Sequence, residues 1–534
     1  MSRTLTNTGA NTGEAGIEAA LRDILGPEGV STDPRLRALY GQDVYARGAH
    51  EPALIARPRD AQSLARALAA VTSAGLAAVP RGGGMSYTSG FHCAEPDTVL
   101  FDLTGMDRIL DIDAEDMTVT VQAGVTWKAL YDALKARGLR TPFWGPLSGL
   151  NSTIGGGLSQ NNAFFGAGTY GPTADSVTSL TVALADGTLL ETGTAGTKGA
   201  RPFFRHYGPD LTGLFLGDTG SLGFKAEATF RLVPYPAAEG YASFEFRARD
   251  ACAEATAGLA RAGLGCEVFG FDPNLTAVRL KRASLAADLR SLGSVVRGQG
   301  GVLKGVREAA KIAVAGRSFV APDTYSVHIV CEGRSRAGVD ADLDAARRIA
   351  SEAGGHEVAD TIPKVIRANP FTAPNNMIGP EGERWVPIHG IVPHSAAARC
   401  WADLDEAFAA MRDDLDRHGV TTGFLVTTLS TNGFLIEPVF LWPDALDDLH
   451  RQAVDGDVLA RIRGFEDNPA GRAVVERARQ AVLAVFERHG AAHFQIGRTY
   501  PYAKNRKAPA LDLLRTIKRH VDPDGRVNPG VLGL

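Results

Sequence analysis

The first residues able to do chemistry form the run Pro80-Arg81-Gly82-Gly83-Gly84-Met85-Ser86-Tyr87. Successive glycines let backbone N–H groups converge on an anion with no Cβ in the way. Arg81 and the Ser86 hydroxyl add side-chain donors, so a diphosphate is the natural guest. The run is not a P-loop, because no Gly-Lys-Ser/Thr follows, and it lacks the GxGxxG spacing of a dinucleotide fingerprint. A second segment, Ser152-Thr153-Ile154-Gly155-Gly156-Gly157, is followed by Asn161-Asn162 and Gly166. A third, Gly217-Asp218-Thr219-Gly220-Ser221-Leu222-Gly223-Phe224, runs directly into an apolar strand. Segments of this kind, far apart in the chain, can face one extended ligand.

Elements must bring these loops together. A strand at Ala53 to Ala56, a helix over Ala61 to Ala74 ended by Gly75, and a strand at Ala77 to Pro80 make a β-α-β opening that delivers Arg81. Short strands follow at Thr98 to Asp102, Ile109 to Ile112 and Thr118 to Gln122, then a helix over Trp127 to Ala136. Asp186-Gly187 marks a hairpin between Val177 to Leu184 and Leu189 to Thr192. The character changes after Val233-Pro234-Tyr235-Pro236. Strands now alternate with long helices: Tyr241 to Arg247 with Asp250 to Ala262, Tyr325 to Cys331 with Ala337 to Ala353, and Val386 to Val392 with Ala396 to His418. The expected fold class is α+β, its second part an antiparallel sheet with helices on one face. Leu285 to Arg317, rich in Gly, Arg and Lys, reads as a polar excursion. A closing segment carries an aromatic motif, a helix over Ala510 to Val521, then Asp522-Pro523-Asp524-Gly525 and Asn528-Pro529-Gly530.

Composition removes several classes. The 534 residues are too many for one compact core, and 44% apolar with 22% charged residues excludes wholesale disorder. Lys+Arg total 56 against Asp+Glu 60, a net charge of −4, so a dedicated nucleic-acid binder is excluded. The 5 cysteines are odd in number and lack CxxC spacing, which argues against a disulfide framework and a cysteine-built metal site. Histidines do not cluster, so no metal is expected. Residues 1–16 are polar, without the apolar stretch of a signal peptide, and read as a flexible tail. No stretch approaches the ~18 apolar residues of a membrane span, so a cytoplasmic protein without a transmembrane segment is expected.

Taken in order, the first glycine loop, the strand bearing Asp102-Leu103, Ala123-Gly124-Val125-Thr126-Trp127, the Thr-Ile-Gly-Gly segment and Gly-Ser-Leu-Gly-Phe resemble the FAD-binding domain of the vanillyl-alcohol oxidase/para-cresol methylhydroxylase superfamily. The closing Asp-Pro-Asp-Gly and Asn-Pro-Gly segments resemble that superfamily's C-terminus. The resemblance implies an FAD domain over 17–236, a cap or substrate domain over 237–490, and a segment over 491–534 returning to the FAD domain. It implies that Arg81, Gly82, Gly83, Gly84, Met85 and Ser86 cradle the diphosphate. Ser152, Thr153, Gly155, Gly156 and Asn161 would run along diphosphate and ribityl, with Gly223 and Phe224 toward the adenine. Many members carry a flavin-linking histidine where this chain has Met85, so non-covalent FAD is expected; a second linking position in some members falls near His389.

The resemblance also implies an oxidoreductase, a dehydrogenase or oxidase taking a hydride from an alcohol or para-substituted phenol onto flavin N5. Arg498 matches an arginine that stands near flavin and bound phenolate, and Tyr500 stands where the family has histidine. Gly497 replaces the phenolate-binding tyrosine. On the cap strand His389 is a candidate base for an alcohol proton, and Glu437 a candidate site carboxylate. Alternation puts Thr427 and Leu429 on one strand face and Thr428 on the other. Gly208-Pro209-Asp210-Leu211-Thr212-Gly213-Leu214-Phe215 resembles instead the D-lactate/glycolate dehydrogenase branch, in which Arg498 would clamp a carboxylate. A redox-neutral flavoprotein or flavin-binding scaffold is the alternative from another class. The partners implied are a small aromatic alcohol, phenol or hydroxy acid and an electron acceptor whose identity the resemblance leaves open. The mixed-sign cap helices serve either as solvated faces or as a homodimer surface.

Overall fold

The computed structural model describes residues 14–281 and 323–534. The excursion expected over Leu285 to Arg317 and most of the expected N-terminal tail lie outside the described residues.

In the first sheet Leu54–Ala56 and Ala78–Arg81 flank Val99–Asp102 in parallel, and Val30–Ser31 adds an antiparallel edge. Helix Ala61–Ser73 makes the crossover between the two parallel partners. It starts where Asp60 accepts the N–H of Ser63 at 2.7 Å and Ser63 returns the bond, a capping box. Leu64, Ala65, Leu68 and Val71 form its buried face. The first glycine loop therefore leaves from the carboxyl end of a parallel strand, the edge at which open α/β sheets hold ligands.

A second sheet is antiparallel, in the order Ile109–Asp113, Thr118–Gln122, Phe224–Arg231, Val177–Ala183, Leu189–Glu191. Its hairpin turns at Gly187 (φ +83°), where Asp186 Oδ1 accepts the Thr188 N–H at 2.9 Å.

The cap is an eight-stranded antiparallel sheet ordered His356–Val358, Ala238–Phe246, Tyr325–Gly333, Glu267–Phe271, Thr421–Leu429, Gly433–Trp442, Arg384–Pro387, with Gly390–Val392 also on Gly433–Trp442. The pleat sorts its side chains. Phe424, Val426, Phe434, Ile436 and Phe440 pack under helices Arg249–Arg261, Arg336–Glu352, His394–Ala410 and Pro469–Arg488. Leu425, Leu429, Leu435, Val439 and Leu441 face the other way, into a core shared with Val121, Trp127 and Phe143. The single strand expected over Val386 to Val392 is two. Pro387 lacks an N–H, and the N–H of His389 goes to the Tyr500 hydroxyl at 2.9 Å rather than to a neighbouring strand. The helix expected over Ala396 to His418 opens at Met411. Pro469–Arg488, which buries Val475, Val482 and Phe486, is not among the expected helices.

The final segment runs back to the first sheet. Val527 bridges Ala78 in parallel, and Asn528 Nδ2 donates to the carbonyls of Gly90 (2.9 Å) and Thr219 (2.7 Å). Lys518 Nζ, buried, donates to the carbonyls of Ser221 (2.6 Å) and Val527 (2.8 Å) and to Asp522 (2.5 Å).

A buried charge cluster joins the eight-stranded sheet to the N-terminal part of the chain. Arg140 makes a two-pronged bond to Glu332 at 2.6 and 2.7 Å. Arg367 reaches Glu267 (2.9 Å), Glu239 (2.7 Å) and Glu332. Glu267 also accepts the N–H of Gly166 at 2.7 Å. Arg367→Ala leaves buried carboxylates with Arg140 as their remaining cation. The expected loss is about 3–5 kcal/mol, read as a lowered thermal midpoint that Arg367→Lys partly restores. An unchanged midpoint in the alanine variant would remove the cluster from the stability of the domain contact.

Candidate cofactor and substrate site

The two glycine loops touch through their backbones. A Cβ on Gly83 would stand under 3.0 Å from the Asn151 carbonyl, and one on Gly82 equally close to the Thr153 hydroxyl. Gly84 adopts φ +73° beneath the Arg81 guanidinium. Thr153 caps the helix Ile154–Gln160, accepting from Gly156 N–H at 3.4 Å. Gly156 differs from the other loop glycines: a Cβ there would meet only the Thr153 hydroxyl, at 3.3 Å, because the space beyond it is cavity.

That cavity, of about 410 Å³, is continuous from the glycine loops to the cap sheet. Arg81, Gly82, Gly83, Gly84, Met85, Ser86, Ser152, Thr153, Gly155, Gly156, Gly223 and Phe224 all line it. Asn161 does not; it ends the helix in the left-handed region (φ +50°), and its Oδ1 accepts from Ala174 N–H at 3.0 Å. Arg81 is 5% exposed, its guanidinium 3.9 Å over the Tyr40 ring and its Nη1 on the Gly82 carbonyl at 3.1 Å. Its Nε is buried without a partner, and Asp102 pairs instead with Arg57 at 3.4 Å. Burial pulls the Arg81 pKa down, opposed by Tyr40 and Asp102. Among the described residues this is a buried cation beside a glycine cradle with no carboxylate bound to it, which fits a diphosphate. Lys225 also lines the cavity, but Asp218 holds its ammonium at 2.6 Å.

The cap end is largely apolar: Phe271, Leu425, Leu435, Val439, Leu441, Met377 and Trp385. Thr427 lines it and Thr428 faces the other way, buried, in keeping with the strand alternation. Polar groups there include Tyr87, Gln495 and Glu437. Burial, then the Glu437 and Tyr500 charges, raises the Tyr87 phenol well above its usual range, so it remains a donor, within reach of Gln495. Tyr87 belongs to the first glycine motif, yet composition and spacing give it no role. Gln495, in the left-handed region (φ +51°), carries no sequence signal of its position.

The three residues expected to be catalytic stand behind the wall, not on it. Arg498 donates to the carbonyls of Ser89 (2.7 Å) and Pro529 (2.6 Å), tying the first glycine segment to the C-terminus. Tyr500 is 3% exposed and its hydroxyl lies 3.0 Å from His389 Nδ1. Burial, with His493 adding to it, pushes the His389 imidazole down to about 3, so it is neutral at ordinary pH and a poor base. Arg498, Tyr500 and His389 are thus not among the residues lining the cavity. Among the described residues no group of three or more His, Cys, Asp or Glu could hold a metal ion, and no helix is long and apolar enough to cross a membrane.

The sequence matches the FAD binding domain family over residues 52–193. Glycolate oxidase subunit GlcD of Bacillus subtilis is 34% identical over 220 residues, 41% of this chain and 45% of that protein. The probable mitochondrial D-lactate dehydrogenase of Danio rerio is 31% identical over 249 residues, 46% of this chain and 48% of its own. The chain spans about half the length of these curated relatives. Of solved structures, p-cresol methylhydroxylase with substrate bound superposes with a TM-score of 0.71 over 99% of this chain and 98% of that one, at 17% identity. Alkyldihydroxyacetonephosphate synthase gives 0.68 over 98% and 86%, also at 17%. At such identities the likeness is one of fold.

Gly156→Val should fold and purify without flavin, because beyond the Thr153 hydroxyl its side chain enters the cavity; full flavin content by absorbance would overturn this placement. No histidine or cysteine lines the cavity among the described residues. Acid precipitation should therefore leave the flavin in the supernatant, and flavin retained in the pellet would show a covalent link. Loop geometry, the buried Arg81 and the family match together identify residues 52–193 as an FAD-binding domain, set in a chain with the fold of p-cresol methylhydroxylase.

Proposed function

We propose that the protein is an FAD-dependent oxidoreductase that takes a hydride from the carbinol carbon of an aromatic alcohol or the benzylic carbon of a para-substituted phenol. The observation that carries this reading is the continuity of one cavity from the glycine cradle to an apolar chamber walled by the cap. Bound in the cradle, FAD supplies the hydride acceptor. The chain supplies the rest. Trp385, Phe271 and Leu441 give an aromatic ring an apolar wall and exclude water. Tyr87 donates a hydrogen bond to the substrate oxygen, and the Glu437 carboxylate takes the hydroxyl proton.

The apolar lining of the cap end supports a neutral aromatic substrate. Among the described lining residues the charged ones are Arg81, Lys225 and Glu437. Oxidation of a 2-hydroxy acid is the second reading, favoured by the names of the sequence relatives. A redox-neutral flavoprotein is a third, favoured by the likeness in fold to alkyldihydroxyacetonephosphate synthase.

Anaerobic mixing with benzylic alcohols, para-alkylphenols and D-2-hydroxy acids separates these readings. Bleaching of the flavin band by the first two classes is expected. Bleaching by hydroxy acids alone would move the enzyme to the second reading, and bleaching by none to the third. Glu437→Gln should retain flavin and slow its reduction by about 10²–10⁴-fold. Reduction at the original rate would remove Glu437 from the chemistry.

A further inference from the structure

The wall beside Glu437 is set by two residues that do not themselves line the cavity. Along the strand Thr421–Leu429 the pleat puts Gly423, Leu425 and Thr427 on one face, and the last two line the cavity. Leu425 lies opposite Glu437 in the ladder, and Gly423 opposite Val439, two residues along. The helix Pro273–Lys281 rests on that face and contributes Leu275, Thr276 and Val278 to the cavity. It comes down onto Gly423, where an added Cβ would stand 2.9 Å from both the N and the Cβ of Leu275. The chamber next to Glu437 is therefore closed on this side by a helix seated on bare backbone.

Asp272 holds the helix there. It follows the strand Glu267–Phe271, precedes the helix and is buried. One oxygen, Oδ1, accepts the Leu275 N–H of the first helical turn at 2.9 Å and the Phe424 N–H of the strand at 2.8 Å. Its own N–H donates to the Phe424 carbonyl at 3.0 Å, and its carbonyl accepts from Thr276 N–H at 3.0 Å. No ion pair with a described residue offsets its burial, which pushes its pKa up to about 7 against the pull of the Phe424 and Leu275 N–H groups. Capping a helix needs only the N–H groups of that helix. The second bond does something else: it joins the helix to a strand, and both of the joined elements are cavity walls.

We infer that Asp272, together with Gly423, is a positioning residue that fixes the width of the chamber beside Glu437 and so selects the breadth of the ring admitted there. The assignment rests on the aromatic-substrate reading. Losing the strand bond frees the helix from the sheet while its cap survives. Lifting the helix opens the gap between Leu275 and Leu425, and close-packed walls transmit even small shifts of this kind. Glycine at 423 and a carboxyl at 272 thus act on one distance, the first by allowing the approach and the second by holding it.

Phenol and 2-naphthol make the test. Neither carries a benzylic C–H, so each can occupy the chamber without being oxidised, and affinity is read from perturbation of the flavin band of the holoenzyme. Gly423→Ala forces the helix off the strand and should move the ratio of the two affinities about tenfold toward the broader ring, the scale on which a pocket discriminates one carbon. Asp272→Ser, whose shorter side chain caps Leu275 but withdraws from Phe424, should move the ratio the same way. It carries the test where Gly423→Ala does not fold. Asp272→Asn keeps an Oδ1 for both N–H groups and should retain the original ratio. Flavin content should be unchanged in all three, since neither residue lines the glycine cradle. A role as helix cap alone predicts the original ratio in Asp272→Ser, and that result, or an unchanged ratio in folded Gly423→Ala, would overturn the assignment. Failure of both rings to perturb the flavin of the unaltered protein would overturn the aromatic-substrate reading and the assignment with it.

Discussion

The site depends on one close approach, the backbone of Gly82-Gly83 lying against Asn151 to Thr153 with no room for a side chain between. Two loops that meet this way cannot shift separately. Each fixes the other's N–H groups, and the buried Arg81 guanidinium sits beneath Gly84 with a free Nε. A cation this buried, without a carboxylate, raises the energy of the empty domain, and a diphosphate in the cradle relieves it. The C-terminal segment reinforces the arrangement from behind, where Asn528 ties together the carbonyls of Gly90 and Thr219. Distant parts of the chain thus converge on one cradle.

The cap uses a different constraint. Its sheet has two apolar faces, one under helices and one toward the FAD domain, and the period of two assigns each side chain to one of them. Leu425, Thr427, Leu435, Glu437 and Leu441 fall on the cavity side by that rule alone. The charge cluster of Arg140, Arg367 and their glutamates then holds this face at a set distance from the glycine loops. Salt links within a mainly apolar contact define how the two bodies meet more sharply than leucines would, since each carboxylate is satisfied in one arrangement.

Much of the cofactor half was legible in the sequence because its signals are local. Asp60 with Ser63 starts a helix, Asp186-Gly187 turns a hairpin, and glycines that must approach backbone stand in consecutive runs. Asn161 shows the limit of that logic. It sits among the right residues but ends a helix, and only its left-handed backbone turns it away. The helix Pro469–Arg488 was missed because its apolar positions are diluted by Arg and Glu along a long amphipathic face. The break after Pro387 was illegible because the partner that takes the His389 N–H is Tyr500, more than a hundred residues away.

The substrate half was the harder part, for a physical reason. Matching a motif fixes residue types along the chain, whereas contact with a ligand depends on what else each group must satisfy. Arg498, Tyr500 and His389 each have strong local demands: two carbonyls for the first, and each other for the remaining two. Two of the Arg498 N–H groups go to backbone carbonyls, and an imidazole at about 3 holds no proton at neutral pH. The groups that do line the cap end include Glu437 from the strand and Tyr87 from the glycine loop. What a wall residue offers a ligand is thus set by what its own neighbours leave over.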